Sequence, residues 1–432
     1  ITTDRSWKLS EEEISKWKSL PLDDSTWSGV SVKGELGSGP WGIPGVGTAA
    51  AGGDGLIDPN DIFAPPGFVI ERVYSVPKEQ GSWVSLATDP KGRIYACDQG
   101  NAGLYRVTTH PGESPSIEKV SRDSLSGVSG AQGLHWAHDS LWFHRNGGNL
   151  LRLTDSNGDD VLDAVETYPG TTGGGEHGNH AVLPIPGGGG LFLDGGNAAP
   201  LASHDRSRVP TWYEGHILPR MWDSNGHARG RMAPGGWITE LDVESKQQVV
   251  RTIGFRNQYD IALNRHGDLF AYDADMEWDF GLPWYRPTRI CMAASGADFG
   301  WRSGSGKWPT YYEDSLPPVV EIGPGCPTGV VSGSGAKFPA RYQKAIYALD
   351  WTFGTIYAIH LEAKGAGYVG KSEPWVYGAP LPVTDAEVGD DGNMYFLIGG
   401  RNTQSAMYRV SYEGKEATTR VTKEVIPSVA RS

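Results

Sequence analysis

From Phe63 onward the chain repeats one pattern of apolar and polar positions. A short stretch alternates between the two, a glycine turn follows, and a second stretch is rich in aromatics. A third stretch often ends in Tyr-Arg-Val. The clearest copy is 84–97 around Gly92, continued by 103–107. Its echoes are 133–143 with 150–153, then 180–193, then 261–272 around Gly267. The fifth comprises 329–331, 345–349 and 356–359, and the last is 386–397 around Gly392, closing with 407–410. Alternation at a period of two predicts half-buried strands, and glycine between two such runs predicts a tight reversal. Six copies at intervals of about 45 to 80 residues predict an all-β protein, a six-bladed β-propeller with seven blades as the alternative. One such sheet cannot bury both of its faces, whereas stacking around an axis does so and leaves few free edges.

The ends of the chain lack this pattern. In residues 1–62, an N-terminal extension, Ser10 followed by Glu13 has the form of a capping box, and Lys16 and Lys18 suit a helix C-terminus, so one short helix is expected at 11–18. Residues 34–55 are glycine-rich and read as an irregular arm. The propeller is expected over 63–412, with a polar tail at 413–432.

Composition narrows the function. The 432 residues carry 38 Lys and Arg against 51 Asp and Glu, a net charge of −13. That balance argues against a nucleic-acid groove. No apolar run approaches the ~18 residues of a membrane helix. The 60 Gly show no collagen period, and the 16 Trp argue against disorder. Three cysteines, Cys97, Cys291 and Cys326, cannot all pair with one another. The chain starts at Ile1, for which a cleaved signal peptide is the expectation and a cloned fragment the plainer alternative, and abundant Trp and Gly with an acidic balance suit a periplasmic or extracellular location.

Four segments could carry chemistry. In the first, Asp155, Asn157, Asp159, Asp163 and Glu166, with the carbonyl of Val161, fall at the ligand spacing of a Ca²⁺ loop, although Asp160 stands where glycine is usual. A solvated acidic turn is the plainer alternative. In the second, Glu176, His177, Asn179 and His180 follow a glycine run, and two imidazoles three residues apart could supply a general base or a metal ligand. In the third, Gly254-Phe-Arg256-Asn257 ends at Asp260, placing a guanidinium and an amide at a strand entrance, where they suit a carboxylate or a quinone oxygen. In the fourth, Asp273, Asp275, Glu277 and Asp279 alternate before Trp284, Tyr285, Arg286 and Arg289, which fits a second cation site or a sugar-binding patch with aromatic platforms. Structural histidines, salt bridges and solvated loops are the bland readings of the last three.

The blade repeats, the His177 loop and the Gly254-Phe-Arg-Asn motif resemble the quinoprotein glucose/sorbosone dehydrogenases, six-bladed propellers that use pyrroloquinoline quinone (PQQ) and Ca²⁺. The stretch from Trp301 to Gly354 is more similar still to large secreted bacterial "membrane-bound dehydrogenase domain" proteins, whose CxxCH haem module is absent from this sequence. The resemblance spans about 65–412. It implies that His177, nine residues before Pro186, is the catalytic base, and that Arg256, Asn257, Pro327 and Thr328 contact the cofactor. The chain departs from the family where Thr352, Pro382 and Thr384 occupy positions that carry cations there. Arg401, Arg286 or Arg289 would have to replace that charge around the tri-anionic PQQ.

Three functions are compatible with this reading. One is a sugar or polyol oxidoreductase, with His177 as base, Arg256 polarising the acceptor, and Trp284, Tyr285 and Trp351 stacking on the sugar. An electron-acceptor protein would be its partner. The second is a polysaccharide lyase or hydrolase using Arg256 or Arg286, His177 or His180, and Tyr285. The third is a carbohydrate-binding module without catalysis, because fold alone does not fix function.

Overall fold

The computed structural model describes residues 55–109, 112–168, 174–201, 203–210, 230–276, 285–302 and 315–421, with the backbone of 8–9, 28–29 and 306–307. The chain divides into two compact units, Ile1–Ala49 and Ala50–Ser432. In the first, Lys8–Leu9 pairs antiparallel with Ser28–Gly29. The helix expected at 11–18 lies outside the described residues.

The second unit is a six-bladed propeller. Each blade is built on an antiparallel sheet whose first three strands run in chain order from the axis outwards. The inner strands are Trp83–Thr88, Ala131–Ala137, Asn179–Pro184, Gln258–Leu263, Pro327–Ser332 and Val383–Val388. Each packs against the next, and the sixth returns to the first, so the ring is closed. The third blade gains a short parallel strand, Arg206–Ser207, on its outer edge. The reversals predicted at Gly92, Gly267 and Gly392 all have positive φ, the region that glycine enters without steric cost.

Closure uses a strand from far away in sequence. The sixth blade takes three strands from 383–412 and its outermost strand from Phe68–Ser75, paired from Ala406↔Ser75 to Tyr412↔Phe68. Phe68 then inserts among Phe338, Tyr342 and Trp375, with ring centroids 4.9–5.1 Å away and edge-on geometry. Such edge-to-face contacts add roughly 0.5–1.5 kcal/mol each beyond the area they bury. Beyond the last strand, Gln343 ties down the following chain. Its side-chain amide donates to the carbonyls of Thr418 and Thr419, and its oxygen accepts from the Val421 N–H.

All six inner strands break register near their first residues, as between Trp83 and Ser85, Gln258 and Ile261, or Val383 and Asp385. A bulge adds a residue to one strand and re-aims its neighbours. Below the bulges the ring is tight. A Cβ on Gly133 would stand 2.2 Å from the His180 carbonyl oxygen of the next blade, so glycine is required there. At two junctions a carboxylate joins the blades instead. Asp260 accepts the Val330 N–H at 2.7 Å, and Asp385 accepts the Leu86 N–H at 2.6 Å.

Candidate active site

Strands within a blade alternate in direction. The loops that enter the inner strands therefore emerge at one face of the ring, together with those joining second to third strands. That face is called the mouth here. It collects His177, Arg256, Asn257, Asp275, Tyr285, Arg286, Trp351 and Arg401, which the sequence scatters over more than two hundred positions.

The His177 loop and the Gly254-Phe-Arg256-Asn257 motif meet through Asn197, a residue that sequence reasoning did not single out. His177 Nδ1 lies 2.6 Å from Asn197 Oδ1. An amide oxygen only accepts, so Nδ1 carries the hydrogen and Nε2 is the basic nitrogen. The Asn197 N–H donates to the Arg256 carbonyl at 2.9 Å, and the Ala198 N–H to the His177 carbonyl at 3.0 Å. Asn257 Nδ2 donates to the Glu176 carbonyl at 3.0 Å. Gly196 makes this convergence possible, because a Cβ there would meet Asn257 Oδ1 at 2.3 Å and the His177 carbonyl oxygen at 2.8 Å. Asn197 sits just after a second strand, in Asp194-Gly-Gly-Asn, and glycines at a strand exit were the available clue.

Beneath this contact the motif is anchored by Asp273. Its Oδ1 accepts the N–H groups of Arg256 and Asn257 at 3.0 and 2.9 Å, while Oδ2 accepts from Arg289 Nε and an Arg289 terminal nitrogen at 3.1 and 3.0 Å. Both Asp273 and Arg289 are buried, so breaking the pair would strand a charge. Arg289 is thereby committed to the scaffold and supplies no charge to the mouth.

The mouth holds a cavity of about 400 Å³ lined by Gln99, Asn101, Arg145, Asn146, Tyr259 and Arg401, among others. Arg401 reaches it from the sixth blade. Its guanidinium stacks over Trp351 at 5.1 Å and forms an ion pair with Glu176 of the third blade, diametrically across the ring. Its N–H donates to Gln99 Oε1 at 2.6 Å, and both Arg401 and Asn402 have positive φ. Trp351 is fixed in turn by its indole N–H, which donates to the Gly399 carbonyl at 2.7 Å.

Other predicted residues lie elsewhere. His180 is fully buried, stacked on Tyr259 with ring centroids 3.9 Å apart. Burial lowers its pKa to about 3, so it is neutral at neutral pH. Asp260 and Thr328 face a second cavity of about 300 Å³ further down the axis. The Thr328 hydroxyl is bound to the Val383 carbonyl at 2.7 Å. Asp275 is buried and accepts the Gly325 N–H at 3.3 Å. Tyr285 is half exposed, and desolvation, followed by nearby Asp275 and Glu321, pushes its hydroxyl up to about 12. Arg286 exchanges backbone hydrogen bonds with Met276. Glu277 and Trp284 lie outside the described residues.

The acidic loop at 155–163 joins the third and fourth strands of the second blade and so emerges at the face opposite the mouth. Asp155 accepts the N–H groups of Asn157, Gly158 and Asp160, and Asp159 accepts that of Val161. Asp163 turns to Ser156. Glu166, expected to close the loop, lies on the edge strand and pairs with Lys246 at 2.8 Å and Arg152 at 3.8 Å. Among the described residues, no group of three or more His, Cys, Asp or Glu is placed to hold a metal ion.

PQQ would bring three carboxylates. The described lining of the mouth cavity includes two guanidinium groups, Arg145 and Arg401, the second already paired with Glu176. Thr384 is buried, with its hydroxyl directed at the carbonyls of Trp83 and Leu397. Pro382 and Thr352 provide no cation. The described lining of this cavity therefore offers fewer cations than PQQ has carboxylates.

No protein-family profile and no curated protein sequence matches the chain. Its fold has known counterparts. The PQQ-bound aldose sugar dehydrogenase of Streptomyces coelicolor superposes with a TM-score of 0.53 at 15% identity, covering 81% of this chain and 100% of that one. The calcium structure of a carbohydrate-active enzyme of family AA12 from Trichoderma reesei gives 0.59 at 10% identity, over 82% and 97%. The holo PQQ domain of pyranose dehydrogenase from Coprinopsis cinerea gives 0.56 at 12% identity, over 81% and 97%. At these identities the likeness is one of fold.

Proposed function

We propose that this propeller is a sugar or polyol oxidoreductase that works at its mouth, with His177 as the base. The observation that carries the reading is the His177–Asn197 hydrogen bond, which fixes the tautomer and presents Nε2 as the basic nitrogen. Asn197 is itself held by the Arg256 backbone, so base and Arg-Asn motif form one rigid unit. A substrate hydroxyl gives its proton to Nε2 while the carbon that bears it gives a hydride to an acceptor. The sugar dehydrogenase fold of the structural neighbours supports this assignment. The acceptor comes from outside the chain, as a quinone or an electron-acceptor protein.

The test is dye reduction by the purified protein across a panel of sugars and polyols, with and without PQQ and Ca²⁺. Reduction that depends on a particular sugar and disappears in His177→Ala is expected. An absence of both dye reduction and quinone binding throughout the panel overturns the reading.

One observation favours a second reading, β-elimination from a uronate. Arg145 lines the mouth cavity, as does Glu176, the neighbour of His177 in sequence, and a guanidinium at this face could neutralise the sugar carboxylate, acidifying the neighbouring C–H for His177. Ultraviolet absorbance of an unsaturated uronate product would decide for it.

A further inference from the structure

We propose that the mouth selects sugars bearing a carboxylate, which binds between Arg145 and Arg401 and displaces Glu176. The inference deepens the assignment of the mouth as a sugar site and rests on it.

The argument begins with charge. The chain carries a net charge of −13, so carboxylates are plentiful, and most arginines around the ring have found one. Arg93 pairs with Asp160, Arg106 with Glu118, Arg251 with Glu240, and Arg409 with Glu71. Arg145 breaks this pattern. It is exposed, lines the mouth cavity, and its side chain has no hydrogen-bond or ion-pair partner among the described residues. The groups around it are amides, and Glu176 is the one carboxylate among the described lining residues.

Glu176 is engaged by Arg401, but in an exchangeable way. The two side chains are 58% and 65% exposed, and ion pairs so open to water contribute little stability. Arg401 is nevertheless held in place independently of Glu176. It stacks on Trp351, its N–H is bound by Gln99, and its backbone adopts a left-handed conformation that is costly for a residue with a Cβ. A guanidinium so placed, with a weakly held internal carboxylate upon it, is set up to exchange that carboxylate for one from a ligand. A bidentate contact to a ligand carboxylate is the geometry that arginine favours. Amides at Gln99, Asn101 and Asn146 suit the remaining hydroxyls. The matching ligand is a uronic or aldonic acid, or the acidic end of an oligosaccharide.

The experiment is calorimetric titration at low salt with galacturonate and glucuronate against galactose and glucose. Uronates are expected to bind at least ~10-fold more tightly than their neutral counterparts. Arg145→Gln should abolish the preference. Glu176→Gln should have the opposite sign, raising uronate affinity several-fold, because Arg401 loses its internal competitor; the melting temperature of each variant confirms folding. Equal affinity for acidic and neutral sugars overturns the proposal, as does an Arg145→Gln variant that keeps the preference. PQQ binding that depends on Arg145, with uronates not binding, also overturns it and assigns the two cations to a cofactor. The readout is binding, so the outcome is separable from the oxidoreductase assignment. Dye reduction with no uronate preference would break only this proposal, and uronate preference without dye reduction would break only the other.

Discussion

The two ends of the propeller axis are built on the same six inner strands and are opposite in character. The mouth is lined by guanidinium and amide groups carried on loops. The lower cavity is lined by carboxylates, Asp260, Asp385 and Glu387, set among apolar side chains such as Leu86, Leu134 and Val388, with Gln132 shared by both. The acids below are structural in use. Asp260 and Asp385 each receive an N–H from the adjacent blade, and burial shifts both toward the protonated form. The two cations that line the upper cavity, Arg145 and Arg401, are not tied to a buried carboxylate. Strand positions hold the ring together and loop positions face outward to a ligand, which is the usual division between scaffold and site.

The sharpest way to break this comparison is to remove a group from each end and measure both properties. His177→Ala should lower the rate of dye reduction by about 10²–10⁴-fold, the usual contribution of a positioned base, while leaving the melting temperature unchanged. Asp385→Ala should do the reverse. It leaves the buried Leu86 N–H without its acceptor, which costs about 1–3 kcal/mol of stability in chemical denaturation, with uronate affinity retained. A loss of binding in Asp385→Ala equal to that in Arg145→Gln would show the two ends to be one functional unit.

A smaller effect follows from pH. Desolvation raises the Glu387 carboxyl from an ordinary 4.5 to about 7. The folded chain therefore binds more protons than the unfolded one between those values, and stability from this group declines as pH rises through that window. Melting curves recorded at pH 5 and pH 8 should differ by about 2–4 °C more in the parent than in Glu387→Gln, which keeps the neutral form at both. The smallest effect is expected at the far face. Asp160 is 43% exposed and contacts Lys91 and Arg93, so Asp160→Asn should change stability by less than ~1 kcal/mol and leave both activity and binding intact.

The blades were legible in the sequence because period-two alternation around glycine is a local signal, and it marks each inner pair of strands. The strand Phe68–Ser75 was not legible as the edge of the last blade, since its partner Ala406–Tyr412 lies more than three hundred residues away and no local pattern encodes that pairing. His177, Arg256 and Asn257 could be named from their motifs, but Asn197, which joins them, is a lone amide after two glycines. Asp260 follows the Arg-Asn motif by a few residues and was expected beside it. The bulge between Gln258 and Ile261 separates them instead, leaving Tyr259 facing the mouth and Asp260 the cavity below. Arg145 has no motif at all. Its interest comes from what does not surround it, a property that exists only once the loops are assembled. The acidic loop shows the converse, because its spacing is plain in the sequence while the face it occupies and the pairing of Glu166 are set by the blade.

The strand from Phe68 to Ser75 has a consequence for how the molecule comes into being. It is among the first segments of the ring to leave the ribosome, yet its hydrogen-bonding partner is the last strand to do so. Until synthesis reaches Tyr412 the nascent chain holds an unfinished arc with two open sheet edges, each able to recruit a stray strand from another molecule. Closing the arc requires contacts of very high sequence separation, the slow kind in folding. Protection of the early arc during translation is therefore a demand that the architecture itself imposes, and the aromatic cluster around Phe68 is the latch that ends it.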